Sequence, residues 1–245
     1  MKLITHIGRY FIMLRLMFHK FTKSKVMQQL IWKEINDLIV SSMGIVAFIS
    51  IFIGAVVAIQ TALNLDNPLL PKALIGFATR QSIILEFSPT FISIIMAGRI
   101  GSYITSSIGS MRVTEQIDAL EVMGINTVNY LVFPKVVALM LYPLVITVSM
   151  FLGIIGGMLA SVYGAGITTT DFVNGLQENF KPFHLTYSYI KTIVFAFILA
   201  TVPAYHGYYM KGGALEVGKA STKSFVWTCI TIIATNFLLT QLILG

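Results

Sequence analysis

Long apolar stretches broken by short polar ones dominate the chain. Runs with few or no charges lie at about 38–65, 82–111, 136–163, 189–210 and 225–244. Each is long enough to cross a hydrocarbon core of roughly 30 Å at about 1.5 Å per residue. The pattern predicts an all-α integral membrane protein with five spans and no internal repeat. In three of the runs small residues recur at every fourth position. These are Ser50, Gly54, Ala58 and Ala62 in the first, Ala97, Gly101, Thr105 and Gly109 in the second, and Gly153, Gly157, Ser161 and Ala165 in the third. Such faces let helix backbones approach closely. Pro143 is placed to kink the third span.

Two shorter stretches have an amphipathic helical period instead. Over residues 1–33, Ile4, Ile7, Phe11, Leu14 and Phe18 share one face, and Lys2, His6, Arg9, Lys20 and Lys23 lie largely elsewhere. This predicts an interfacial helix on an anionic leaflet. Between the second and third spans, residues 113–124 put Val113, Ile117, Leu120 and Gly124 on one side and Glu115, Asp118 and Glu121 on an adjacent one, with Thr114 placed as N-cap. At roughly 16 Å this helix covers only about half a membrane, so it is either a surface for a partner to grip or a solvated connector. The remaining links are polar: Asn64, Asp66, Asn67, Pro68 and Pro71 after the first span, Thr168 to Lys181 after the third, and a loop with Lys211, Lys219 and Lys223 before the fifth.

Composition agrees with the membrane reading. Of 245 residues 56% are hydrophobic and 11% charged, where a soluble domain carries about 25% charge. The net charge of +7 is uneven. With the N-terminus cytoplasmic, the inside collects Lys2, Arg9, Arg15, Lys20, Lys23, Lys25, Lys33, Arg112, Lys135, Lys211, Lys219 and Lys223, and the outside only Lys72, Arg80, Lys181 and Lys191. That asymmetry sets orientation and headgroup contact and argues against nucleic acid as a partner. The single Cys229 excludes an intrachain disulfide or a thiolate metal site. Arg9 and Arg15 interrupt any signal-peptide core.

Catalytic motifs are absent or incomplete. Gly213 to Lys219 matches the GxxxxGK spacing of a P-loop, but Ala220 occupies the magnesium-binding position and no strand precedes it. There is no HExxH and no G-x-S-x-G, and His6, His19, His184 and His206 are too scattered for zinc. The chain is therefore expected to carry no catalytic residues, metal or cofactor. Glu86 and Arg99, inside the second span, stand out. Thirteen residues apart on one helix, they are separated by roughly 20 Å and cannot pair. Each needs its own partner or water, because an unpaired charge in the bilayer centre costs at least ~3 kcal/mol.

The run Met96 to Gly124, MAGRIGSYITSSIGSMRVTEQIDALEVMG, resembles the signature of MlaE-type permeases, the YrbE family, which are membrane subunits of ABC transporters that work with MCE-domain proteins. The likeness extends through Leu131-Val132-Phe133-Pro134-Lys135 and resumes at Gly212-Gly213 and at Val217 to Lys223, so 1–245 reads as one permease domain. The resemblance implies a homodimer in a bacterial inner membrane that passes phospholipids or related lipids to or from a periplasmic MCE protein, with ATP and magnesium on a separate ATPase chain. By the same likeness, Glu115, Gln116, Asp118, Ala119, Leu120 and Met123 form the coupling helix that docks on the ATPase. Gly218, Lys219 and Lys223 belong to the second cytoplasmic loop, and Glu86 matches a family glutamate near the lipid cavity; Arg99, by its depth in the span, is either a second lipid-cavity candidate or a cap on helix carbonyls that holds the dimer. The chain departs from the family at Leu85, where Arg is common, at Phe87-Ser88 in place of Leu-Gly, and at Asn126-Thr127 in place of Asp-Pro. Two other classes compete. An ion-driven secondary transporter favours paired intramembrane acids and an inverted repeat; a membrane scaffold needs residues 113–124 but neither Glu86 nor Arg99.

Overall fold

The computed structural model describes residues 2–19, 24–65 and 71–244. Lys20 and Lys23 of the N-terminal segment, and Asp66, Asn67 and Pro68 of the first loop, lie outside the described residues. The described chain has no strand. Its helices are α1 (Lys2–Met17), α2 (Ser24–Asn64), α3 (Ala73–Val113), α4 (Gln116–Val122), α5 (Thr127–Gly164), α6 (Thr169–Gln177), α7 (Phe183–Tyr208) and α8 (Ala214–Leu244). Five of them, α2, α3, α5, α7 and α8, are long and apolar enough to cross a membrane.

The long helices overrun the apolar runs that predict them. The single interfacial element expected over 1–33 is two: α1, and the first turns of α2, which continue without a break into the first span. Charges did not end the helices because they found partners. Lys135 lies inside α5, buried, and pairs with Glu34 of α2. Arg80 and Lys191, counted above as outer-loop charges, are also interior, at 3% and 0% exposure. The expected kink at Pro143 falls just before it. Residues 140–141 form a turn between Thr127–Leu139 and Tyr142–Gly164, leaving proline in the first turn of the second piece, where its missing N–H costs little.

The chain forms two compact units. One holds Met1–Ser41, Ile94–Tyr142 and Val194–Leu238, the other Ser42–Ser93, Pro143–Ile193 and Leu239–Gly245. In the second unit the small-residue faces of α2 and α5 meet. A Cβ on Gly54 would collide with the Gly153 carbonyl, and one on Gly156 with the Ile51 carbonyl. Ser50 donates to Ser149 Oγ at 2.8 Å, and Ser149 to Ser88 Oγ at 3.2 Å. Arg80 donates to the carbonyls of Leu176, in the last turn of α6, and Glu178, just after it, and stacks between Phe77 and Phe180. In the first unit the ladder of α3 packs on α7 and α8, with Gly101 against Pro203 and Thr105 bonded to the Pro203 carbonyl (3.1 Å) and Ser224 Oγ (2.9 Å).

Gly54→Leu is therefore expected to destabilise the protein by at least about 1–3 kcal/mol, because the obstruction is backbone and cannot turn aside. Gly44→Leu, on the same helix but with open space around the added carbon, is expected to be near neutral. Thermal melts of both variants in detergent check this; equal melting points would refute backbone contact as the role of the ladder.

Candidate functional site

The short helix α4 is built by its ends. α3 stops at Val113; Thr114 is its C-cap, not the N-cap of the next helix. Glu115 follows in the left-handed region, at φ 57° and ψ 13°, so it turns the chain sharply instead of joining the helix, and its side chain makes no capping bond. A non-glycine residue there costs roughly 1–2 kcal/mol. At the far end Gly124 (φ +75°) closes a Schellman motif: its N–H reaches the Glu121 carbonyl at 2.9 Å, and the Ile125 N–H reaches Leu120 at 3.1 Å.

Between these stops only Ile117 is buried, with Leu120 half-buried. Glu115, Gln116, Asp118, Ala119 and Met123 are exposed. The acids do not form one free face as the spacing suggested. Asp118 pairs with Arg112 at 2.8 Å, and Glu121 accepts from Thr127 (3.2 Å) and Tyr208 (3.1 Å), which tie α4 to α5 and α7. The departure at Asn126-Thr127 is also accounted for. The Asn126 side chain caps α5 through the Asn129 N–H and donates to the carbonyls of Leu16, in the last turn of α1, and His19, just after it, a donation that Asp cannot make. Sequence reading missed Val122, 88% exposed next to Met123 at 65%. Two adjacent apolar side chains in a polar connector were the available signal.

The second feature is in the other unit. α3 widens to a π-helix over Ile83–Phe91, with Pro89 inside. Pro89 has no N–H to offer the Leu85 carbonyl in an α-helical bond, and Lys191 of α7 donates to that carbonyl at 3.1 Å. The same ammonium pairs with Glu86 Oε1 at 2.9 Å and lies 4.8 Å from the centre of the Tyr187 ring. Thr90 donates to Glu86 Oε2 at 3.1 Å. The pair is lopsided: the Lys191 side chain is 0% exposed, the Glu86 side chain 39%. Sequence reading named Glu86 and missed Lys191 by assigning it to a loop, although it falls inside the fourth apolar run.

Arg99 lies on a second π-helical stretch, Ala97–Gly101. It is half-buried, and its Nη1 is buried with no hydrogen-bond partner. π-helical insertions concentrate at functional positions. Gly218, Lys219 and Lys223 are not in a loop: all three lie on the first turns of α8, where Lys219 pairs with Glu216 at 2.7 Å. The Gly213–Lys219 stretch lacks the surroundings of a P-loop: it follows a helix and not a strand, it is helical from Ala214 on, and Ala220 stands at the magnesium-binding position. Among the described residues no three His, Cys, Asp or Glu side chains gather as a metal site.

Comparison with known proteins fits this architecture. The profile of the family described as Permease MlaE matches residues 31–242. A probable ABC transporter permease protein of Rickettsia bellii is 33% identical over 214 residues, covering 87% of this chain and 82% of the relative. A probable ABC transporter permease protein of Synechocystis is 32% identical over 211 residues, covering 86% and 80%. The intermembrane phospholipid transport system permease protein MlaE of Haemophilus influenzae is 26% identical over 218 residues, covering 88% and 83%. With its spanning helices and the profile match over most of its length, the chain belongs to the MlaE permease family and is a multi-pass membrane permease.

Proposed function

We propose that this permease is the transmembrane subunit of an ABC transporter that moves phospholipids or related lipids between a bacterial inner membrane and a periplasmic MCE-domain shuttle. It works as a homodimer with its N-terminus in the cytoplasm, and ATP and magnesium are bound and used on a separate ATPase chain. The observation that carries this reading is α4: a helix too short to span, anchored by one buried residue and presenting Glu115, Gln116, Ala119, Val122 and Met123 outward. Such a surface is made to be held by another protein. Gly218, Lys219 and Lys223, on the adjoining end of the sequence of α8, are candidates for a further contact. The phospholipid assignment is supported by the name of the Haemophilus relative.

The proposed route of coupling is covalent. α3 runs unbroken from Ala73 to Val113 and carries Glu86 and Arg99 on its two π-helical stretches, while α4 follows after one left-handed residue. A push on α4 is delivered to the end of α3, and π-helical segments let a helix shift register locally without breaking. Glu86 then offers a lipid headgroup a partly solvated carboxylate, held in place from behind by the enclosed Lys191 ammonium.

The Glu86–Lys191 pair also suits an ion-driven carrier, and one experiment separates the two readings. Isolated from its native membrane with its partners, the protein is expected to bring down an ATPase whose turnover rises when phospholipid is supplied. A complex that contains no ATPase, or lipid movement that follows a proton gradient and ignores ATP, would overturn the proposal.

A further inference from the structure

The junction of α7 and α8 holds a basic cleft that neither α4 nor the Glu86–Lys191 pair explains. Two contiguous hollows of about 280 and 210 Å³ share Arg9, Tyr209, Met210 and Lys211 as lining. Arg112 completes the wall of one, and Lys219 and Lys223 that of the other. The only carboxylate among the lining residues is Glu216, and it is taken by Lys219; Arg112 is taken by Asp118. Among the described residues, no ion pair engages Arg9, Lys211 or Lys223. Three uncompensated cations around one hollow repel each other and raise the local concentration of anions.

The cleft is built, not incidental. α1 is fastened to α7 beside it by a 2.7 Å hydrogen bond between His6 Nδ1 and the Tyr205 hydroxyl and another of 2.7 Å between Tyr10 and Thr201, with the Tyr205 ring packed at a tilt against Tyr209. Burial pushes the pKa of the Tyr209 hydroxyl up despite nearby Arg9 and Arg112, so it remains a neutral donor. The level is that of headgroups: α7 ends at Tyr208 and α8 begins at Ala214, so the cleft lies where two spanning helices leave the membrane. The volume is at the lower edge for a small-molecule site, enough for a phosphodiester headgroup but not for acyl chains. α1 exposes Ile4, Ile7 and Phe11 at 74%, 49% and 64% on the face opposite Arg9, a surface that seats this helix among the acyl chains of the leaflet whose headgroups meet the cleft.

From this arrangement we infer that the cleft binds the phosphate of an anionic phospholipid in the leaflet occupied by α1, with Arg9, Lys211 and Lys223 as its counter-charges. Assigning that leaflet to the cytoplasmic side rests on the proposed topology; the binding itself does not. A resident lipid there braces α1 against the α7–α8 junction and makes the permease sensitive to the anionic content of its membrane.

The test uses the full chain in nanodiscs of equal phosphatidylglycerol and phosphatidylcholine, with retained lipids counted by native mass spectrometry after release. Phosphatidylglycerol is expected to be enriched. The Arg9→Gln/Lys211→Gln/Lys223→Gln variant is expected to lose that enrichment at about fivefold per cation, on the order of a hundredfold in all. Arg9→Lys is expected to keep it. If the triple variant elutes as aggregate, Lys211→Glu alone is read, with the same sign. Equal retention of the two lipids by the wild type, or unchanged enrichment in a folded variant, overturns the inference. Displacement of the retained lipid by inorganic phosphate also overturns it, because it marks a free-phosphate site that makes no use of the acyl chains. No ATPase and no transport are read, so a negative result here leaves the permease proposal standing, and its failure leaves this one.

Discussion

Glu86→Gln is expected to lower the melting temperature of the purified protein by on the order of 10 °C, and Lys191→Met by clearly less. Breaking a buried ion pair from one side costs about 3–5 kcal/mol when the surviving charge has no water to turn to, and about 1 kcal/mol moves the midpoint of a chain this size by roughly 2–4 °C. Glu86→Gln leaves the survivor in that position, since the Lys191 side chain is fully enclosed and keeps only uncharged acceptors, the Leu85 carbonyl, the Tyr187 ring face and the new amide oxygen, for its charge. Lys191→Met leaves a carboxylate that is 39% exposed and still receives the Thr90 hydroxyl, while methionine fills most of the vacated volume. The double variant should melt close to Lys191→Met alone, giving a large coupling in a double-mutant cycle. Thermal unfolding of the three variants in one detergent checks the order. If Lys191→Met is as damaging as Glu86→Gln, the solvation of Glu86 is wrong, and with it the notion that this carboxylate is open to a lipid headgroup.

The same pair shows where sequence reading reaches its limit. The spans were legible because membrane burial demands an unbroken apolar run, and the small-residue ladders because close packing leaves a period of four that survives in the sequence. Ser50, Gly54 and Gly153 all meet a neighbouring helix. What was not legible is which charges the fold takes inside. Lys135, Arg80 and Lys191 each sit near the end of an apolar run, and nothing local distinguishes a lysine that snorkels to a headgroup from one that reaches a carboxylate on another helix. The partners Glu34 and Glu86 are 101 and 105 residues away in the chain. Helix ends were misplaced for the same reason: a buried pair lets a helix continue past a charge that otherwise marks its edge. At α4 the period placed Ile117 correctly on the inner side. It did not disclose Glu115 in the left-handed region, because that conformation is imposed by the turn between two helices and leaves no mark in the residue type.

On the proposed docking of α4 to an ATPase, charge and shape are expected to make distinct contributions. Val122→Asp with Met123→Asp is expected to weaken binding of the ATPase by roughly 30-fold or more, the loss of about 2 kcal/mol or more that accompanies removal of a central apolar anchor. Glu115→Lys with Asp118→Lys is expected to weaken it by several kcal/mol through like-charge contacts, if the partner presents cations there. Asp118, however, already spends its charge on Arg112 at 2.8 Å, so most of that effect should reside in Glu115, and Asp118→Lys alone should act chiefly by loosening α4 from the end of α3. Ile117→Ala provides the contrast. Its side chain is fully buried, so this change should unseat α4 and lower both binding and thermal stability, whereas Val122 and Met123, exposed as they are, should leave the melting point of the isolated permease unchanged. Measuring ATPase capture and melting temperature side by side for the four variants distinguishes an interface from a structural connector. Undiminished capture by the Val122/Met123 variant would mean that α4 is only a connector and that the ATPase binds elsewhere.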